Sequence, residues 1–216
     1  MIGYYNYTTW LTYLGAASGV SGIFFAFSGH PAIAVLCLLF CGLCDMFDGK
    51  VASTKKDRTD EQKKFGIQID SLSDVICFGV LPASIGYDFI KDDLASGKLW
   101  LAIPLVLLPV AALARLAYFN VAEETRQKTE GGARRHYNGL PVTTAAGTIP
   151  LVYCLRWLIN NDGVFKFIYL GCVVAMGTLF LIRSIKIKKP GMKALIVFLI
   201  LGIILAAFIL VMFIRK

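Results

Sequence analysis

Of 216 residues, 57% are hydrophobic and 17% charged, and the mean hydropathy is +0.67; a soluble domain is nearer half apolar and about one quarter charged. This balance excludes an ordinary water-soluble globular protein and indicates an integral membrane protein. The net charge of +8 comes from basic loops suited to anionic membrane lipid, and no basic patch is interleaved with aromatics as a nucleic-acid surface requires.

Segments long enough to span a bilayer, about 20 residues each, occur at 9–28, 31–54, 66–89, 98–121, 139–158, 164–184 and 193–214. The expected architecture is an all-α polytopic membrane bundle of about seven transmembrane helices, forming one domain over residues 1–216. The start MIGYYNYTTW lacks a positive n-region, so the first apolar segment reads as a retained span. Within it, Gly15, Ser18, Gly19 and Gly22 make two small-xxx-small spacings suited to close helix packing.

The second and third segments carry four carboxylates, Asp45, Asp48, Asp70 and Asp74. Acids inside a span are costly and are functional suspects by default. Asp45 and Asp48 are spaced i,i+3 and Asp70 and Asp74 i,i+4, so each pair shares one helix face. A hairpin with its loop near 55–65 puts Asp48 and Asp70 at similar depth, with Asp45 and Asp74 one turn deeper. Four converging anions in low dielectric need compensation. The donors are all hard oxygens and the stripes hold no His, which favours Mg²⁺ or Mn²⁺, with Ca²⁺ also compatible, over zinc or copper. The six cysteines all fall within apolar segments and read as small residues packing between helices, although Cys41-x-x-Cys44 also has the spacing of a soft-metal or redox pair.

Fourteen of the 22 lysines and arginines fall in loops 55–65, 122–138 and 183–193, which alternate with loops holding only Lys91. By the positive-inside rule the acidic cluster opens to the cytoplasm. In the fourth segment Arg115 has two readings: snorkelling to the interface, or binding an anionic group in the site. Loop 122–138 holds Gly131-Gly132, Arg134, Arg135 and His136, and reads either as a solvated loop or as a cover over the site. The last two segments carry few marks of chemistry.

The order Asp45, Asp48-Gly49, Ala52, Gly66, Asp70, Asp74 resembles the signature of the CDP-alcohol phosphotransferase family. Two departures stand out: Ser53 replaces the usual Arg, and the gap before Gly66 is about four residues longer than the common form. The resemblance implies transfer of the phosphatidyl group of CDP-diacylglycerol to an alcohol with release of CMP, aided by a divalent metal, in a homodimer. It implies that Asp45, Asp48 and Asp70 hold one or two ions with Asp74 beside them. Asp74 would take the acceptor hydroxyl proton. Gly49, Ala52 and Gly66, with Asp48, would admit the CDP-lipid.

DSLSDVICFGVLP, RLAYFN and YNGLP are further similar to the branch of the family that uses L-serine. They make Ser71, Arg115 and Asn120 candidates for serine binding, with Arg134 and Arg135 beside them. Glycerol 3-phosphate, inositol phosphate or another alcohol as acceptor stays compatible, as does an ether-lipid donor. A cation transporter would also use intramembrane carboxylates, but the acids lie near one face and the motif does not recur in the second half.

Overall fold

The structure is a computed structural model describing residues 3–4, 6–129, 136–159, 161–183, 186–188 and 192–215. Helix α1 (Tyr7–Phe27) is capped by Asn6, whose side-chain oxygen accepts from Thr8 N at 3.0 Å. A turn through Gly29, at φ +76°, leads to Pro31, the first residue of α2 (Pro31–Thr54). Helix α3 (Asp60–Asp74) begins six residues earlier than the apolar pattern implies. Thr59 Oγ1 accepts from Gln62 N at 3.2 Å, and Asp60 and Glu61 occupy the first turn, where the helix dipole favours anions.

The chain continues without a break through a π-helical stretch, Val75–Val80, into α4 (Leu81–Ala95). Pro82 explains the change of ladder: without an N–H it cannot donate one turn back, and Leu81 N instead reaches Ile76 O in an i,i+5 bond. After a 3₁₀ turn at Leu99–Ala102 comes α5 (Ile103–Thr129). It extends well into the expected loop 122–138, aided by helix-forming residues and the Glu123–Arg126 ion pair at 2.6 Å.

Strand β1 (His136–Asn138) precedes α6 (Ala145–Cys154), which is flanked by 3₁₀ turns at Val142–Thr144 and Leu155–Trp157. Helix α7 (Asp162–Leu181), strand β2 (Lys186–Lys188) and helix α8 (Met192–Ile214) complete the chain. Among the described residues, six helical stretches are long and apolar enough to cross a membrane. The chain is an integral membrane protein. The expected span at 139–158 is the exception in length, because Pro141 keeps the chain extended before it and Pro150 lies within the short α6.

β1 pairs antiparallel with β2, matching His136 with Lys188 and Asn138 with Lys186. This ribbon ties the loop before α6 to the loop after α7 at one end of the bundle. Helix α5 is tied to its neighbours by two side chains: Arg115 Nε donates to Leu140 O at 3.5 Å, and Asn120 Nδ2 donates to Ser71 Oγ of α3 at 2.8 Å. At the opposite end the cations are matched by acids. Lys98 (2.8 Å) and Lys166 both bind Asp93, and Lys91 binds Asp88 at 2.8 Å.

A buried core runs from Ala26 to Ile209, and large apolar side chains such as Trp10, Phe24, Val106, Leu107 and Phe198 face outward, as lipid contact demands. Small residues let the helices close. A Cβ on Gly15, Gly19 or Gly22 would meet Cys44, Cys77 or Cys37 within 3.1 Å, and one on Gly42 would stand 2.5 Å from Ala146 Cβ. Gly42→Ala therefore overpacks the α2–α6 contact by about 1–3 kcal/mol, more than the roughly 1 kcal/mol of helix propensity it gains. A lower melting temperature of the detergent-solubilised protein is expected; an unchanged or higher one would mean that α6 moves aside freely.

Candidate active site

The helical spacing of the acids and the α2–α3 hairpin together build the site. Asp45, Asp70 and Asp74 each present a carboxylate oxygen within 4.8 Å of the others, Asp74 buried and the other two half-buried. Asp48 is buried beside them, and Thr12 Oγ1 of α1 donates to its Oδ2 at 3.4 Å. These residues line a narrow cleft with Gly15, Cys41, Cys44, Ser73, Cys77 and Phe78.

Among the described residues, no lysine, arginine or histidine lines the cleft, so none of them offsets the converging carboxylates there. Hard anionic oxygens from two helices, with a hydroxyl holding one of them, suit a divalent cation such as Mg²⁺ or Mn²⁺.

Gly49 and Gly66 lie on the adjoining turns of α2 and α3. A Cβ on either would meet nothing within 4 Å, in contrast to the crowded glycines of α1. Ala52, one turn on from Gly49, is half-buried. The hairpin thus has an open face at both glycines of the signature.

The candidate acceptor residues divide. Ser71 and Asn120 meet across α3 and α5 in the 2.8 Å hydrogen bond, so the Ser71 hydroxyl is engaged by a side chain of another helix. Arg115 does not snorkel. It is 8% exposed and lies over the Phe119 ring at 5.7 Å.

Its guanidinium also lies against Gly139, where an added Cβ would approach Nε to 3.3 Å. Arg115 lines a second cleft of about 220 Å³, with Ala114, Tyr118, Phe180, Leu181, Ile182 and Arg183. In the antiparallel register set by Ser71–Asn120 and Gly79–Ala112, Arg115 is level with residues 75–77, within a turn of Asp74. Arg134 and Arg135 lie outside the described residues.

Sequence reasoning missed Thr12 and Arg183. Thr12 sits in a run of three threonines within α1, and nothing local marks the one that reaches Asp48. Arg183 reads as one of several loop cations, and only the packing of α7 against α5 brings it to the cleft holding Arg115.

Fold and cleft define a polytopic membrane protein with an intramembrane acidic site at one end. The family model described as CDP-alcohol phosphatidyltransferase matches residues 5–214, and the chain belongs to that family. It is 29% identical over 202 residues to a CDP-diacylglycerol--serine O-phosphatidyltransferase of Helicobacter pylori, covering 91% of this chain and 77% of that protein. An enzyme of the same name from Saccharomyces cerevisiae is 29% identical, with coverages of 86% and 70%. An archaetidylserine synthase of Methanothermobacter thermautotrophicus is 37% identical over 147 residues, 66% of this chain and 55% of that protein.

Proposed function

We propose that this protein transfers the phosphatidyl group of CDP-diacylglycerol to the hydroxyl of L-serine, giving phosphatidylserine and CMP, with the whole chain forming one catalytic domain whose cleft faces the cytoplasm. The observation that carries the reading is the four-aspartate cleft, spaced in the family's order and flanked by the open glycine positions. The names of its relatives supply the acceptor.

Asp45, Asp48 and Asp70, with Asp74 beside them, would hold Mg²⁺ or Mn²⁺, and the bound metal would neutralise the diphosphate and the charge developing on departing CMP. Thr12 fixes Asp48 in that arrangement. Asp74 accepts the proton of the serine hydroxyl, the freed oxygen attacks the phosphorus that bears the diacylglycerol, and the anhydride P–O bond breaks to release CMP. The open faces at Gly49 and Gly66, with Ala52 beside them, admit the cytidine diphosphate portion, while the acyl chains stay in lipid.

Arg115 and Arg183 form a cationic wall for the acceptor carboxylate, and the Ser71–Asn120 pair sets the opposite boundary. Arg134 and Arg135 also contribute to acceptor binding, and the working unit is a homodimer.

CMP release by purified protein tests the reading, with CDP-diacylglycerol, Mn²⁺ or Mg²⁺, and L-serine, glycerol 3-phosphate or inositol phosphate in turn. Release that requires serine supports it; release only with another acceptor replaces the serine assignment. The archaetidylserine synthase similarity favours a second reading in which serine is kept and the donor carries ether-linked chains; a CDP-activated ether lipid used in preference to CDP-diacylglycerol would establish it.

Two variants probe the walls. Gly49→Ala should leave the melting temperature unchanged or slightly raised while increasing the KM for CDP-diacylglycerol about tenfold; an unaltered KM would remove Gly49 from the donor site. Arg115→Lys should raise the serine KM about tenfold or more through loss of the bidentate fork, with little change for CDP-diacylglycerol. The reverse pattern would move Arg115 to the diphosphate.

A further inference from the structure

The cleft is acidic toward its mouth and thiol-lined toward its floor, and the proposed transfer makes no use of the thiols. Cys41 of α2 and Cys77 of the π-helical stretch both direct Sγ at one acceptor, the Gly15 carbonyl oxygen, at 3.3 and 3.4 Å. The two thiols thus converge on one backbone oxygen from different helical segments.

α1 packs closely on Cys77: a Cβ on Gly19 would come within 2.8 Å of its Sγ. Cys41 and Cys77 are 1% and 2% exposed, yet both line the cleft. All six cysteines are free thiols, and in a reducing cytoplasm they remain so.

We propose that Cys41 and Cys77 are an oxidative modification site, a thiol pair that hydrogen peroxide converts to a disulfide joining α2 to the π-helical stretch. One thiol attacks the peroxide, whose O–O bond breaks, giving a sulfenic acid and one water. The second thiol displaces the sulfenic hydroxyl as a second water, and the S–S bond forms. Both thiol protons leave in the water, and the pair supplies the two electrons that reduce the peroxide.

The π turn makes this pairing specific. It sets Cys77 toward α1 and α2, whereas Cys44 is held by the packing of its Cβ against Gly15. The cross-link would act on the cleft directly, since Cys41 lies one turn before Asp45 and Cys77 three residues after Asp74. Fixing the two backbones locks the spacing of the carboxylates that must close around substrate. This consequence for activity rests on the proposed transfer; the cross-link itself does not.

The test treats purified protein with hydrogen peroxide, removes the oxidant, and reads intact mass, a non-reducing peptide map and CMP release. The expected result is loss of two hydrogens, a Cys41–Cys77 linked peptide, and at least a tenfold fall in serine-dependent CMP release, all reversed by dithiothreitol. Cys41→Ser and Cys77→Ser, or the Ala variants where Ser impairs folding, should resist both the link and the inhibition, whereas Cys172→Ser, on α7 away from the cleft, should behave as wild type.

A link through other cysteines, or oxidation to sulfinic acid without a link, overturns the proposal. A Cys41–Cys77 link that leaves CMP release intact overturns its effect on activity. Absence of CMP release from untreated protein with every acceptor would instead overturn the proposed transfer, with the mass measurement still deciding the cross-link.

Discussion

Asp74→Asn is expected to lower CMP release by about 10²- to 10⁴-fold, the range that a positioned general base contributes, while Mn²⁺ and CDP-diacylglycerol binding change little. Asp74 is buried on α3 where the π-helical stretch begins. Asparagine keeps its shape and one acceptor oxygen but cannot take a proton. If the residue acts on the acceptor, kcat and kcat/KM for serine fall together, because the lost interaction exists only in the transition state. Mn²⁺ titration followed by electron paramagnetic resonance separates the alternatives. A loss of metal affinity in proportion to the loss of rate would make Asp74 chiefly a ligand, and retained turnover would remove it as the base.

Much of this arrangement is legible from spacing. The i,i+3 and i,i+4 acids fix two faces, and the short polar connection between them can only be a hairpin, so the convergence of Asp45, Asp70 and Asp74 follows from helix geometry alone. What spacing does not reveal is contact between distant segments. The Thr12–Asp48 bond joins residues 36 apart and the Asn120–Ser71 bond residues 49 apart, and both depend on how α1 and α5 are rotated against the hairpin.

Glycines illustrate the same division. Gly15 and Gly49 both look like small residues in a helix stripe, yet a Cβ on Gly15 would stand 3.1 Å from Cys44 Cβ while one on Gly49 meets nothing. Only packing separates a glycine that serves helix approach from one that leaves a face open. Helix ends were legible in type but not in extent. The polar starts and ends of α3 and α5 lack the apolar pattern that marks a span, and capping by Thr59 and the Glu123–Arg126 pair carry those helices further.

Asp45→Asn and Asp70→Asn should abolish metal-dependent turnover and should also change stability in two opposite senses. Carboxylate oxygens no more than 4.8 Å apart repel by about 3 kcal/mol when both are charged, at an effective dielectric near 20. Replacing one by an amide removes that repulsion while preserving shape. In the presence of chelator, each variant should therefore melt at or above the wild-type temperature.

With saturating Mn²⁺ the order should invert. Wild type gains stability by mass action, about 2.7 kcal/mol at one hundred times the dissociation constant, and a variant lacking one hard anionic ligand loses most of that gain. Differential scanning of the detergent-solubilised protein, with and without Mn²⁺, reads both effects independently of any acceptor. A metal-induced shift that survives in Asp45→Asn and Asp70→Asn would show that these carboxylates do not hold the ion. A chelated variant melting far below wild type would show that their role is to support the α2–α3 hairpin itself.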